Sequence, residues 1–526
     1  MRRCCKWEYY LIRIILILKK ALNSEIYIDK TELITYTNGV INTEQQYICV
    51  SRPRRFGKSM AANMLTAYYS RGCDSREMFS KYKIEEADSF EKHLNKYNVI
   101  HINMVDFLSE ASSIEEMIGE IQKAILFELT DEFSDVRFYD DTKLARSLKD
   151  IFAKHGVPFV FIIDEWDCIF RKHTNDTDAQ TKYLDFLRNL LKNQSYIALA
   201  YMTGILPIKK YGEHSAINVF YEYSMTDAKP ISEFTGFTEN EVKFLCEKYD
   251  KPFEQMKRWY DGYCLDGISI YNPKSVVESI LRDNFGNYWT KTETYEALKV
   301  YIQTNFGGLR DKVIKLIAGE RVAINPDKFQ NDMTTFNSAD DVLTLLVHLG
   351  YLTYNDNMAW VPNSEVAQEF INSIEDGGWE EVMRSIRASD ELLKATLACD
   401  EEKVAELIEQ SHQDNTSILK YNDENLLSCV LSLAYYSARK SYIIERELPA
   451  GKGFADLVFK PRSNNSNPAM IVELKYDNSV ESAMEQIKEK QYTDCLKDYS
   501  GEVLLVGINY DKESKKHSCK IEKAKK

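Results

Sequence analysis

Four short apolar runs punctuate the first half of the chain: QYICVS (46–51), NVIHINMV (98–105), PFVFIID (158–164) and YIALAYMTG (196–204). Each reads as a strand buried on both faces, and longer stretches of helical spacing separate them. This alternation predicts an α/β domain with a parallel sheet over residues 25–235. Residues 236–300 are mostly of helical period, with Thr238 opening the first helix and Glu239 and Glu241 in its first turn.

Further on, ADDVLTLLVHLG predicts a helix, and YLTYNDNMAWVP a hairpin turning at Asn355–Asp356–Asn357. The middle region, 236–370, is therefore expected to be helical, with either a winged-helix-like part or a plain connector domain around 338–362. Residues 371–420 are helical and acidic (DEEKVAELIEQSH) and read as a solvated linker. A second α/β unit is expected over 421–526: a helix at 423–437, strands near 442–448, 454–460 and 470–476, a helix at 480–497 and a strand at 502–508. Residues 1–24 stand apart as an N-terminal extension, and no internal repeat is visible.

At 526 residues the chain exceeds what one core usually holds, in keeping with several domains. Mean hydropathy is -0.40, which excludes a protein built of membrane spans. The apolar run near the start, YYLIRIILIL, is interrupted by Arg13, is too short to span a bilayer and lacks a small-residue cleavage site, so a first helix is expected there. The net charge of -14 gives no global attraction to nucleic acid, which leaves local basic patches. Residues 51–58 carry Arg52, Arg54, Arg55 and Lys58 without an acid, and residues 501–526 carry seven lysines against four acids. The eleven cysteines are scattered without a CxxC pair, which fits free thiols and a cytoplasmic location better than a disulfide or zinc framework.

The segment CVSRPRRFGKSM (49–60) places Gly57, Lys58 and Ser59 where a predicted strand turns into a predicted helix. Backbone N–H groups at a helix start cradle phosphate, a lysine reaches the β- and γ-phosphates, and a serine holds Mg²⁺. The expected nucleotide-facing set is Arg54, Arg55, Phe56, Gly57, Lys58 and Ser59, with ATP and Mg²⁺ as cofactors. Arg52 occupies the place of the first P-loop glycine, which predicts a different loop path, stiffened by Pro53. The strand FVFIID ends in Asp164–Glu165, an acid for the magnesium and one for the attacking water, on a strand expected next to the loop. Thr203, at the tip of another strand, is expected to sense the γ-phosphate or to be an ordinary strand end. Arg188 is the one candidate for an arginine finger.

A second constellation lies in GFADLVFKPRSNNSNPAMIVELKYD: Asp456 in one strand, Glu473 and Lys475 in the next. Residues two apart on a strand face the same way, so Glu473 and Lys475 share a side while Val472 and Leu474 enter the core. If the strands pair through the intervening turn, Asp456 faces Glu473. Two carboxylates can ligate Mg²⁺, and a lysine can orient or deprotonate a water. An edge-strand Glu–Lys pair left in solvent is the plainer alternative.

The motifs YIDKT (27–31), RPRRFGKS (52–59), IIDEWD (162–167), MTGILPI (202–208), FTGFTENEV (234–242), WYDGY (259–263), YNP (271–273) and VPNSEV (361–366) occur in this order. The chain thereby resembles the bacterial AAA-ATPase-like family that commonly carries a C-terminal PD-(D/E)XK nuclease domain. The resemblance implies an AAA-like P-loop NTPase domain and a C-terminal restriction-endonuclease-like α/β domain. It also implies Lys58, Ser59, Asp164 and Glu165 as nucleotide and Mg²⁺ residues. In the second domain it implies Asp456, Glu473 and Lys475 as the nuclease set, with Glu424 as a supporting acid and Gln486 and Tyr492 near the substrate. Phe454 departs from the basic residue common there. The expected function is an ATP-driven switch fused to a Mg²⁺-dependent nucleic-acid phosphodiesterase, in bacterial defence or control of mobile DNA. The rivals are a signalling NTPase whose second domain binds nucleic acid or protein without cutting, and a nucleotide sensor that does not hydrolyse. Nucleic acid is the expected partner and a membrane is not; a homo-oligomer is left open.

Overall fold

The computed structural model describes residues 9–208, 217–289, 298, 301–302, 306–331, 333–376, 379–415, 424–450, 453–462, 467–496 and 499–524. Within these, the side chains of 9–11, 376, 414–415, 424–427, 429 and 494 are not described. The chain divides into two compact units, Met1–Thr294 with Ala323–Val366, and Tyr295–Val322 with Ala367–Lys526. No described helix is long and apolar enough to cross a membrane. Cys49, Cys73, Cys168 and Cys246 are buried thiols.

The first unit is built on strands β1 (Tyr47–Ser51), β2 (Asn98–Asn103), β3 (Phe159–Asp164), β4 (Ile197–Gly204) and β5 (Tyr221–Tyr223). They form one parallel sheet in the order β2-β3-β4-β1-β5. Every residue of β1, β3 and β4 is buried, as their unbroken apolar runs predict, whereas the edge strand β2 alternates. The run at 98–105 ends sooner than its hydrophobicity suggests. The Asn103 side chain accepts the Val105 N–H, and Met104 and Val105 begin a helix. Helices α1 (Tyr9–Leu22) and α2 (Lys58–Tyr69) lie against this sheet, with Leu18, Ala62, Leu65 and Tyr69 in the same core as Ile48, Val50 and Ile162.

The middle of this unit is less helical than its spacing implies. Between α3 (Glu239–Lys248) and α4 (Phe253–Tyr260) on one side and α5 (Pro273–Leu281) on the other sits a hairpin, and it joins β6 (Phe237–Thr238) in a small sheet. Its strands are β7 (Tyr263–Leu265) and β8 (Ile268–Tyr271). Asp266 and Gly267 both turn with positive φ, 52° and 85°, which a two-residue hairpin loop requires. The Asp-Gly pair between apolar residues is the local signal for this hairpin. Farther on, α6 (Ala339–Leu349) opens with a capping box at Ser338 and Asp341, and β9 (Thr353–Asn355) pairs with β10 (Met358–Trp360). Asp356 and Asn357 turn with positive φ, as their sequence predicts.

The second unit contains α7 (Glu380–Leu397), α8 (Glu401–Asn415), α9 (Glu424–Ala434) and α10 (Val480–Glu489). Its sheet runs β11-β12-β13-β14-β15, comprising Tyr442–Ala450, Gly453–Pro461, Ala469–Tyr476, Val503–Asp511 and Lys516–Lys523. The β13–β14 pair is parallel and the others antiparallel. The acidic stretch read as a solvated linker is part of this core. Leu392, Val404 and Ile408 of α7 and α8 are buried with Leu431, Phe459, Val472 and Val506. Its charges occupy one side of each helix, and the widely spaced apolar residues supply the other. The basic tail also carries a strand that its charge hides, β15, which pairs antiparallel with β14.

Candidate functional sites

The loop from β1 to α2 leaves the sheet at Ser51 and reaches the helix through Arg55 and Gly57, both with positive φ (68° and 87°). Gly57 is the N-cap, so the first N–H groups of α2 have no intrahelical acceptor and face the exposed Gly57–Ser59 corner. Lys58 is 4% exposed. Its ammonium donates to the carbonyls of Arg52 at 3.0 Å and Pro53 at 3.1 Å, bridging the loop it springs from. Burial lowers its pKa, while the negative charges of Glu165, Asp164 and Asp167 act the other way. Lys58 and the Asp164–Glu165 strand tip therefore belong to one electrostatic site.

The Asp164 strand is not the immediate neighbour of the loop strand, as its sequence suggests; β4 lies between them. Thr203 of β4 pairs in register with Val50, and its hydroxyl donates to Asp164 Oδ1, so it braces the acid. Exposed Arg54 and Arg55 stand on the loop. Phe56 does not offer its ring to a nucleotide. It is fully buried, edge-on to Tyr263 with centroids 4.9 Å apart, and its carbonyl accepts the Gly236 N–H at 2.8 Å.

Arg52 stands at the place of the first P-loop glycine. It is fully buried. Its Nη1 donates to the carbonyls of Ser51, Tyr223 and Ser224, each at 2.9 Å, and its Nε to Thr235 Oγ1 at 3.1 Å. Burial depresses its pKa to about 10. The other ordered motifs hold the same loop. Glu365 accepts the backbone N–H groups of Tyr288 and Trp289 and the hydroxyl of Ser275, and the Trp289 indole donates to the Arg54 carbonyl at 3.2 Å. In WYDGY, Gly262 has φ 106°, and a Cβ there would meet the Pro362 carbonyl oxygen at 1.9 Å. The neighbouring Tyr263 donates to Gly350 O at 2.9 Å, where Pro53 also packs.

Two residues of the site carry no signal in a one-dimensional pattern. Asp167 is fully buried, and its Oδ2 accepts the Ile205 N–H at 3.1 Å and the Leu206 N–H at 2.8 Å. Arg171, one helical turn on, pairs through Nε with Asp167 at 3.1 Å and through Nη2 with Glu165. Only their spacing in IIDEWDCIFR (i, i+4) hints at a pair. Arg188, the finger candidate, pairs with Asp185 on its own helix at 3.0 Å.

In the second unit, β12 and β13 pair in register from Phe459–Met470 to Leu457–Val472, and the ladder ends there. Just beyond, Asp456 Oδ2 accepts the Leu474 N–H at 2.7 Å, which brings Asp456 beside Glu473. Glu473 is 1% exposed. Its Oε1 accepts Lys475 Nζ at 2.8 Å, and its Oε2 is buried with no hydrogen-bond partner among the described residues. Burial first, and then the Asp456 charge, push its pKa up to about 7 against the pull of Lys475. Val472 and Leu474 enter the core beneath α7, α8 and α9, whereas Ile471 lies in the core on the α10 side. Gln486 donates to the Tyr492 hydroxyl at 2.9 Å, and the Tyr492 phenol feels both carboxylates. Glu424 begins α9, but its side chain lies outside the described residues. No group of three or more His, Cys, Asp or Glu side chains stands as a metal site among the described residues. Asp456 and Glu473 make a two-carboxylate set. The Glu473 oxygen that is buried without a partner among the described residues, and the raised acid, suit a hard divalent cation with oxygen ligands.

Comparison with known proteins agrees with both halves. Residues 20–212 match the AAA-ATPase-like family model, described as a predicted AAA-ATPase, and residues 422–519 match that of the PD-(D/E)XK nuclease superfamily. The chain thus joins an N-terminal AAA-ATPase-like domain to a C-terminal domain of the PD-(D/E)XK nuclease superfamily. An uncharacterized protein in the vnfD 5' region of Azotobacter chroococcum mcd 1 is 23% identical over 279 residues, 51% of each chain. The chain therefore spans about half the length of this curated relative. Among solved structures, a Walker-type ATPase of Pyrococcus abyssi is 14% identical, over 65% of this chain and 94% of that one, with a TM-score of 0.33. The ORC2 protein of Aeropyrum pernix is 10% identical, over 68% of this chain and 98% of that one, with a TM-score of 0.29.

Proposed function

We propose that the protein is an ATP-hydrolysing switch fused to a Mg²⁺-dependent nucleic-acid phosphodiesterase, organised as a P-loop domain over 25–235, a middle region over 236–370 and a nuclease-like domain over 421–526. The observation that carries the nuclease half is Glu473, a carboxylate buried beside Asp456 with one oxygen that has no hydrogen-bond partner among the described residues. Asp456 and Glu473 would hold Mg²⁺, which supplies a water of lowered pKa and stabilises charge on the phosphodiester. Lys475, whose ammonium donates to Glu473 Oε1, would orient that water, and would take its proton only after giving up its own.

In the first domain, the α2 N–H groups and Lys58 would grip the β- and γ-phosphates, and Ser59 and Asp164 would hold the accompanying Mg²⁺. Glu165 would polarise the attacking water, while Thr203 keeps Asp164 in place. Nucleic acid is the partner class that a phosphodiesterase site implies; defence or mobile-element control is the setting that the domain pairing suggests.

The test is incubation of the full chain with mixed DNA and RNA, with Mg²⁺ or with EDTA. Cleavage is expected with Mg²⁺ only, and its loss in Glu473→Gln. Wild-type protein that binds nucleic acid in Mg²⁺ yet never cuts it would favour the non-cleaving rival.

A further inference from the structure

Glu165 does not stand alone at the end of β3. It adopts φ +55°, a conformation uncommon for a residue with a Cβ, and its carboxylate is gripped by Arg171. Along the same edge of its guanidinium, Arg171 Nε makes an ion pair with Asp167 at 3.1 Å. Although burial works against its charge, the Asp167 and Glu165 carboxylates keep it protonated. Asp167 is held in turn by the amides of Ile205 and Leu206, two and three residues after Thr203. This part of the loop hugs the Glu165–Asp167 turn. The Trp166 N–H donates to the Thr203 carbonyl at 3.0 Å, and a Cβ on Gly204 would meet Trp166 Nε1 at 2.6 Å.

A general base needs a third group to orient it. The need is acute here, because a γ-phosphate beside Lys58 would repel the Glu165 carboxylate. We infer that Arg171 is the positioning residue of the ATPase site, a planar fork that holds Glu165 against this repulsion and links it, through Asp167, to the loop that follows Thr203. The inference rests on the proposed role of Glu165. It also makes turnover responsive to the 203–206 loop: whatever shifts that backbone moves Asp167, then Arg171, then the base.

The fork is what matters, since one guanidinium reaches both carboxylates at once and a lysine presents a single point charge. Arg171→Lys keeps a cation for buried Asp167 and so preserves the fold, while losing the second grip. The experiment measures steady-state ATP turnover, binding of a fluorescent ATP analogue and thermal midpoint for the full chain and for Arg171→Lys, Arg171→Gln and Glu165→Gln. Expected for Arg171→Lys are a thermal midpoint and analogue affinity like wild type, KM within about twofold, and kcat lower by roughly 10- to 100-fold, the cost of an ångström-scale misplacement. Arg171→Gln should lose at least as much. Wild-type or raised kcat in a folded Arg171→Lys, with Glu165→Gln inactive, would overturn the positioning role and leave the base intact. Wild-type turnover in Glu165→Gln, or none in the wild type, would overturn both.

Discussion

At the scale of single residues, the chemistry turns on charges that burial makes costly. Glu473 ordinarily would ionise near ~4.3, and in the fold its pKa is raised to about 7. In that interval the folded state holds a proton that the unfolded chain has released, so stability falls as pH rises from about 4.5 to about 7. A divalent cation on the same oxygens must displace that proton, so its affinity weakens below about pH 7. Thermal melts between pH 5 and 8, in EDTA and in Mg²⁺, should show Mg²⁺ stabilisation growing with pH, and Glu473→Gln should abolish the growth. An unchanged Mg²⁺ response in Glu473→Gln would remove the metal from these residues.

Elements carry the same logic at greater distance. The middle region's motifs are fasteners of the β1–α2 loop: Glu365 holds Trp289, Trp289 holds the Arg54 carbonyl, and Tyr263 packs on Phe56. Gly262→Ala drives a Cβ into the Pro362 carbonyl at positive φ, and should cost roughly 3 kcal/mol by denaturant titration and weaken nucleotide binding with it. In the second unit, His412 of α8 and His517 of β15 share a hydrogen bond of 3.1 Å beside Tyr510, with Glu409 accepting the backbone N–H of His517 at 3.5 Å. Burial pushes their pKa values down to about 4 and about 3, the second also through His412. Below about 6.5 the unfolded chain binds protons that the folded pair excludes. The pair's contribution is complete above that pH and lost as pH falls toward about 4 for His412 and about 3 for His517. His412→Gln with His517→Gln should flatten this acid limb in pH-dependent melts.

The same elements mark what a sequence displays. Continuous apolar runs announce β1, β3 and β4, and glycine before lysine and serine announces the loop, because each is a local demand of buried strands and helix starts. The order of the strands and the buried bonds of Arg52 to Tyr223, Ser224 and Thr235 are long-range pairings with no local pattern, and the Asp167–Arg171 grip shows only as an i, i+4 spacing. Helices α7 and α8 misread as solvated because abundant surface charge masks sparse core positions such as Val404 and Ile408.

For the whole molecule, two acid-lined sites sit on two separate sheets, one built around Lys58 and Asp164 and the other around Asp456 and Glu473. Each is expected to run its own chemistry, with ATP regulating the cut. The most direct test assays ATP hydrolysis and Mg²⁺-dependent nucleic-acid cleavage side by side in one set of proteins: wild type, Lys58→Ala and Lys475→Ala. Lys475→Ala should stop cleavage and keep ATP turnover, and Lys58→Ala should stop turnover and alter or abolish ATP-dependent cleavage. Cleavage that persists in Lys475→Ala, or ATP turnover that persists in Lys58→Ala, would contradict the assignment of the corresponding site.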